Sequence, residues 1–549
     1  MRQIKRIVVV MQAIIVVLFL TNVQAANVTI NGLIEYQVID GFGVSEAWNY
    51  PPSNILPYLF DDLGISILRF RMMPSLESSN DNSNPNDIDW NNINTGALSG
   101  DFLGLLQEAK SKNIPILGTI WSPPAWMKTN GQLTNGGSVT PGYEDEFVEY
   151  VIIWIKALEN LGIYMDYISI QNEPDVTETW ESCRYNGGEL NDAIKLVGNR
   201  FETEGITTKL IGPDNAWWGG FSSRATPICE DTVTTNYVDI LCTHSYGQSY
   251  NDPDSLISGW QPISALAKSY NKRLWMTEYS RPNSDNTRWD IAINMAQHMH
   301  NALAHADINA YIPWEFYSTN MEQIIMPGAI TTHRYHAQKQ YIKYIRPGAV
   351  RIDVRSGDPD ILVTGFNNKQ NDTVTFVAIN RKTNSETANF TINNLTGILN
   401  LNIIRTSQTD SSLNIGNVSV SGNSFTYDLP GQSVTTFTGH KGSTQIKRTE
   451  YKKNDNIEIL VSPNPFNSST TIAIAINNQQ SAGSPAVNIY NLRGVLFEEL
   501  TTEYTSGNQV AGAVYRGYTW NASNLPSGVY VVKAIIGTQN LQKKVLLIK

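Results

Sequence analysis

The chain has 549 residues, of which 41% are hydrophobic and 16% charged, with a net charge of -10. That length exceeds one small core and predicts two or three domains. The acidic balance, with no basic stripe, excludes a nucleic-acid partner.

The N-terminus reads as a signal peptide over 1–25. Arg2, Lys5 and Arg6 precede an apolar run from Ile7 to Leu20, and Val23-Gln24-Ala25 supplies small residues for cleavage. The run is shorter than the roughly 20 residues a spanning helix needs. No later segment is long and apolar enough, so no membrane span is expected after signal removal. Residues 26–38, "NVTINGLIEYQ" within them, have β character and are expected to join a later sandwich.

From 39 to 346, short apolar runs alternate with amphipathic stretches. The strand candidates are "IDGFGV" (39–44), "ISILRFR" (65–71), "IPILGTIW" (114–121), "MDYISIQN" (165–172), "TKLIGPD" (208–214), "VDILCTH" (238–244), "KRLWMTE" (272–278) and "INAYIPWE" (308–315). Between them, "GDFLGLLQEAKSK" and "EDEFVEYVIIWIKALENLG" repeat apolar residues at helical spacing. Eight such units predict an α/β fold, a (β/α)8 TIM barrel whose strands are buried on both faces. An open doubly wound sheet is disfavoured, because "DGFGVSEAW" lacks the G-x-G-x-x-G phosphate turn.

Residues 347–439 turn all-β and predict a side β-sandwich attached to the barrel. A polar, charged linker follows over 440–456, and 457–549 is β-rich again, a C-terminal all-β sandwich. "VSPNPFNSSTTI" and "LPSGVYVVKA" resemble the C-terminal sorting domain of the type IX secretion system, which implies that machinery as a partner and a secreted or surface-attached protein.

In such barrels chemistry gathers at the C-terminal strand ends. The polar residues there are Glu46, Arg69 and Arg71, Asn172 and Glu173, Asp214, His244 and Tyr246, Glu278, and Glu315. Hydrolysis of a glycosidic bond needs two carboxyl groups. Glu173 and Glu278 suit this, each an abrupt step from apolar strand to acid, and Pro174 is expected to restrict the backbone of Glu173. One such Glu alone reads as a solvated loop carboxylate; two at these ends read as a site. Glu315 is the rival to either. Trp121, Trp126 and Trp314 are candidate walls for stacked sugar rings, Trp121 and Trp314 the better placed, with Trp217 and Trp218 as weaker candidates.

"IDGFG", "WSPPAWM", "ISIQNEPD", "TWESCRY", "DILCTHSYG", "LWMTEYS" and "RPGAVRID" resemble glycoside hydrolase family 30, and "PNSDNTRWD" and "QSVTTF" point to its xylanase-like members near subfamily 8, over 27–438. The resemblance implies a retaining enzyme acting on polysaccharide or oligosaccharide, with Glu173 as acid/base and Glu278 as nucleophile. It expects the two carboxyls roughly 5–5.5 Å apart. Asn172, Arg69, Tyr246 and His244 are candidate substrate or support residues.

One departure matters. Members that require glucuronate-decorated xylan carry an arginine-tyrosine loop after strand eight, and this chain has "PWEFYSTNMEQ" there. Arg281 and Arg288 are the nearby cations. The expectation is therefore xylan or xylo-oligosaccharide cleavage without strict glucuronate dependence. β-1,6-glucan or galactan cleavage is the alternative, and a non-catalytic carbohydrate-binding protein is the reading from another class. Neither metal nor cofactor is expected. "SSNDNSNPNDIDW" lacks the EF-hand pattern and reads as a solvated loop. Cys183, Cys229 and Cys242 permit one disulfide after export, with the pair left open.

Overall fold

The computed structural model describes residues 25–246, 254–281, 288–318, 324–328 and 330–441, and most of the strands within 457–549. The signal segment and the 442–456 part of the linker lie outside the described residues. The chain divides into two compact units, 1–444 and 445–549.

In the first unit, β1 (Ala26–Val38) leads into β2 (Gly41–Glu46), β3 (Ile67–Met72), β4 (Ile116–Ile120), β5 (Tyr167–Ser169), β6 (Lys209–Asn215), β7 (Val238–His244), β8 (Arg273–Glu278) and β9 (Ala310–Tyr311). Strands β2 to β9 pair in parallel, in chain order, and close into a barrel through β9 and β2. Each falls on one of the eight predicted runs. Burial on both faces explains why these runs are almost unbroken in apolar residues. Gly43 of "IDGFG" is needed for strand pairing, since a Cβ there would lie 2.5 Å from the Ile67 carbonyl oxygen.

The outer helices include α1 (Gly100–Ser111), α2 (Glu144–Asn160), α3 (Gly187–Glu204), α4 (Phe221–Glu230), α5 (Thr234–Tyr237), α6 (Ser255–Ser269), α7 (Trp289–His305) and α8 (His333–Ile342). α2 buries Phe147, Tyr150, Val151 and Trp154 against the barrel. A fully buried side chain of this kind contributes about 2–3 kcal/mol. α3 starts on a capping box, with Asn186 accepting from the Glu189 N–H and Glu189 reaching back to the Asn186 N–H.

A short hairpin, β10 (Ile325–Met326) with β11 (Ile330–Thr331), precedes α8. Next come β12 (Val350–Ser356), β13 (Ile361–Asn368), β14 (Thr373–Asn380), β15 (Glu386–Asn393), β16 (Asn400–Thr406), β17 (Leu413–Ser419), β18 (Ser424–Leu429) and β19 (Ser433–His440). They form a nine-stranded sheet that includes β1, which lies antiparallel to β12 and parallel to β15. This side domain encloses a core of Val28, Ile30, Phe376, Phe390, Phe425 and Phe437. It docks on α7 and α8 through Trp289 Nε1 to the Gln432 carbonyl at 2.7 Å and Gln340 Nε2 to Thr406 Oγ1 at 2.7 Å.

The second unit has two four-stranded sheets. Its motif residues have structural work: Phe466 of "PNPF" is buried against Trp520, with ring centroids 5.1 Å apart, and the Tyr530 hydroxyl of "LPSGVY" donates to the Pro526 carbonyl at 2.8 Å.

No described helix is long and apolar enough to cross a membrane. Cys183, Cys229 and Cys242 are all buried free thiols, so the disulfide that composition permitted does not form.

Candidate active site

The barrel brings the ends of β3, β5, β6, β7 and β8 onto one buried polar cluster. Arg69, on β3, is fully buried. Its Nη1 donates to Glu278 Oε2 at 2.6 Å and Ser45 Oγ at 2.9 Å; its Nη2 donates to Asn172 Oδ1 at 2.6 Å and Asp214 Oδ2 at 3.3 Å. The Tyr246 hydroxyl donates to Glu278 Oε1 at 3.0 Å. His244 Nδ1 lies 3.0 Å from Glu173 Oε1 and 3.7 Å from Glu278 Oε1, and its Nε2 lies 3.5 Å from Asp214 Oδ1. Glu173, His244 and Glu278 each place one polar atom within 4.8 Å of the others. Two glutamates 105 positions apart in the chain therefore share one mouth.

Local backbone explains how Glu173 gets there. Its φ is +51°, left-handed, not the extended form expected of a residue before proline. That conformation costs about 1–2 kcal/mol. It is held by the Glu173 N–H donating to the Asp214 carbonyl at 3.0 Å and by Val176 N–H donating to the Glu173 carbonyl at 3.2 Å. Asn172 N–H is fixed on the Ile120 carbonyl at 2.6 Å.

Electrostatics follow from burial and pairing. For Asp214, burial favours the neutral acid. The Arg69 charge and hydrogen bonds from His244 and Thr277 outweigh it, and the carboxyl is held well below the usual range. For His244, burial opposes the charge. The Glu278 carboxylate and hydrogen bonds to Asp214 and Glu173 win, and the imidazole is pushed up to about 10. Burial, with some help from Glu173, pushes Glu278 up against the opposing pull of His244 and Arg69. A metal among Glu173, His244 and Glu278 would supply positive charge that Arg69 and His244 already provide.

Glu315 is buried beside Glu46, which accepts the Tyr317 N–H at 3.0 Å; burial and then the Glu315 charge push Glu46 well above the usual carboxylate range.

The tryptophans divide. Trp121 and Trp314 are nearly buried, packed with Ala47, and Trp121 lies under the Arg69 guanidinium at 4.6 Å. Trp48, which the sequence reading passed over, is 44% exposed and sets its edge on both, at 6.0 and 5.8 Å. Its signal was present: it stands two residues beyond Glu46, at the end of β2. Trp126 is partly buried and donates to the Glu77 carbonyl at 3.2 Å. Trp218 is buried and supports the site from behind, donating to the His244 carbonyl at 2.8 Å, while Trp217 is exposed. Asp214 was read only as a polar strand end; its link to both Arg69 and His244 makes it part of the cluster. Arg288 is engaged with Asp290 at 2.5 Å. Residues 319–323 of the strand-eight loop lie outside the described residues.

Comparison with known proteins agrees with this architecture. Residues 47–330 match the model for glycosyl hydrolase family 59, 348–437 the glycosyl hydrolase family 30 β-sandwich domain, and 460–549 a secretion system C-terminal sorting domain. Glucuronoxylanase XynC of Bacillus subtilis (strain 168) is 28% identical over 434 residues, covering 75% of this chain and 92% of its own length. Endo-1,6-β-D-glucanase neg1 of Aspergillus fumigatus is 36% identical over 216 residues, 36% of this chain and 42% of its own. Among solved structures, the glycoside hydrolase family 30 subfamily 8 xylanase Xyn30A from Clostridium acetobutylicum superposes with a TM-score of 0.64 at 27% identity, covering 75% of this chain and 99% of that one. The sorting domain marks the chain for secretion or surface attachment. With a barrel that matches family 59, a side sandwich that matches the family 30 β-sandwich domain and xylanases among its relatives, this chain belongs to the glycoside hydrolases.

Proposed function

We propose that the protein is a retaining glycoside hydrolase that cleaves the β-linked xylan backbone or xylo-oligosaccharides by double displacement, with Glu278 as nucleophile and Glu173 as acid/base. The observation that carries this reading is the approach of a Glu173 carboxylate oxygen to within 4.8 Å of one of Glu278. So close an approach supports the shorter carboxyl separation of retaining enzymes, about 5–5.5 Å, over the roughly 6.5–9.5 Å of inverting ones, and suits direct attack at the anomeric carbon.

The roles divide by environment. Glu278 is gripped on one oxygen by Arg69 and on the other by Tyr246, which aims it and favours its charge. The acid role requires Glu173 to start with a proton to give. His244 Nδ1–H donates to Glu173 Oε1, and the other oxygen carries the proton toward the leaving group. Glu278 attacks C1 as Glu173 protonates the departing oxygen. The C1–O bond to the leaving sugar breaks and a glycosyl ester on Glu278 forms. Glu173, now ionised, takes a proton from water, whose oxygen attacks C1 and frees Glu278. Arg69 has only donors, so Asn172 must turn its oxygen to it and its amide NH2 toward the sugar. There the amide is placed to hold the 2-hydroxyl as positive charge develops. Exposed Trp48, backed by Trp121 and Trp314, offers the stacking face.

The absence of arginine from "PWEFYSTNMEQ" supports cleavage without a glucuronate requirement. The rival is β-1,6-glucan, favoured by the higher local identity to the fungal endo-1,6-glucanase. Product analysis on glucuronoxylan, arabinoxylan, linear xylo-oligosaccharides and β-1,6-glucan separates them. Xylo-oligosaccharides from undecorated chains support the proposal. Products cut at a fixed distance from a glucuronate overturn the specificity, and hydrolysis of β-1,6-glucan alone selects the rival.

A further inference from the structure

A second group of acids lies away from the catalytic cluster. Glu77 closes a single 3-10 turn (Pro74–Glu77) after β3, Asp81 opens the Asn-rich loop that follows, and Glu146 and Glu149 sit near the start of α2. Glu77 and Glu149 are 0% exposed, Asp81 6% and Glu146 8%. One oxygen from each of Glu77, Asp81 and Glu149 lies within 4.8 Å of the others. The loop expected to be solvated thus turns its first acid inward.

What points to a ligand is the state of the oxygens. Both of Glu77, both of Glu149, Oδ1 of Asp81 and Oε2 of Glu146 are buried without a hydrogen-bond partner. Buried carboxylate oxygens are otherwise almost always satisfied. Asp81 is itself held in place: its Oδ2 accepts the Asp89 N–H at 2.5 Å and Asn82 Nδ2 at 3.1 Å. The neighbouring cation, Arg200, donates to Glu204, Asn86 and Pro85.

We infer that Glu77, Asp81 and Glu149, with Glu146 beside them, bind a hard divalent cation, Ca2+ by ligand chemistry. The donors are all oxygen, which disfavours zinc and copper. Ca2+ accepts several carboxylates in irregular geometry, whereas Mg2+ demands an octahedron and keeps its waters. The ion would tie the loop after β3 to α2, beneath Trp126, whose indole donates to the Glu77 carbonyl. The competing account is that protons neutralise the acids: burial, then the charges of Asp81 and its neighbours, pushes Glu77 up to about 9 and Glu149 up to about 8.

The test uses the full chain, stripped with EDTA, desalted and re-equilibrated with about 1 mM Ca2+, an extracellular level. Metal analysis should find about one equivalent retained, and Tm should rise by about 3 °C or more over the EDTA form. Mg2+ should raise Tm less. Glu77→Gln/Glu149→Gln should lose the ion and the Ca2+-dependent shift. If that variant does not fold, Asp81→Asn should weaken Ca2+ binding by about tenfold or more. Wild type that holds no ion and keeps its Tm in EDTA overturns the inference in favour of protons. An ion retained undiminished by the variant overturns the assignment to these acids.

Discussion

Replacing Arg69 by Met removes a side chain that touches Glu278, Asn172 and Asp214 together. Two of its partners are carboxylates that are almost wholly buried, so the loss is larger than at a surface pair. A hydrogen bond to a charged group contributes about 1.5–3 kcal/mol. Loss of the Glu278 contact plus misorientation of Asn172 amounts to about 3 kcal/mol of transition-state stabilisation, or about 150-fold in kcat/KM. The fold should also lose about 3–5 kcal/mol, because Asp214 is left buried beside fewer positive charges. The pH profile gives an independent reading. Burial already pushes Glu278 up, and Arg69 is among the groups pulling it down. As the proposed nucleophile Glu278 must act ionised, so activity should fall as pH drops through its pKa, and removing Arg69 should move that acid limb to higher pH. Arg69→Lys keeps the charge without the planar fork and should fall between the two. The assay is kcat/KM on linear xylo-oligosaccharides across pH, with folding checked by near-UV circular dichroism. A folded Met variant within about threefold of wild type, with an unmoved acid limb, would refute the role given to Arg69.

Three further outcomes are expected. Glu278→Gln should lower turnover by about 10^4-fold or more while substrate still binds, as measured by calorimetry; near-normal turnover removes it as nucleophile. Glu173→Gln should lose about 10^2–10^4-fold on natural substrate but far less on aryl glycosides whose leaving group needs no proton. Equal loss on both would argue against an acid role. Trp48→Ala, which deletes an exposed platform worth about 1 kcal/mol, should raise KM about fivefold with kcat little changed; a fall in kcat alone would place Trp48 outside substrate stacking.

The barrel was legible because its strands are buried on both faces, so each stands out as an apolar run between amphipathic stretches. β9 shows how little of a run needs to be strand: only Ala310–Tyr311 pair regularly, yet "INAYIPWE" marked the place. Glu315 shows the limit. It ends its run as abruptly as Glu278 does, and sequence cannot tell which acid points into the mouth, because one residue of register turns a side chain to the other face. The structure sends Glu315 to Glu46 and Glu278 to Arg69. The proline rule failed at Glu173, where contacts from Asp214 and Val176 override a local preference. Asp214 and His244 gain their meaning only from each other, across two strands, and Asp81 only from α2. Such pairings have no local signature.

The claim on which the rest depends is that Glu173 and Glu278 work as a retaining pair. Proton NMR of the anomeric signals, recorded in the first minutes of hydrolysis of the polymer that the product panel identifies, tests it directly. The β-anomer should appear first and then mutarotate toward the α-form. Initial release of the α-anomer would contradict double displacement and, with it, the assignment of Glu278 as nucleophile.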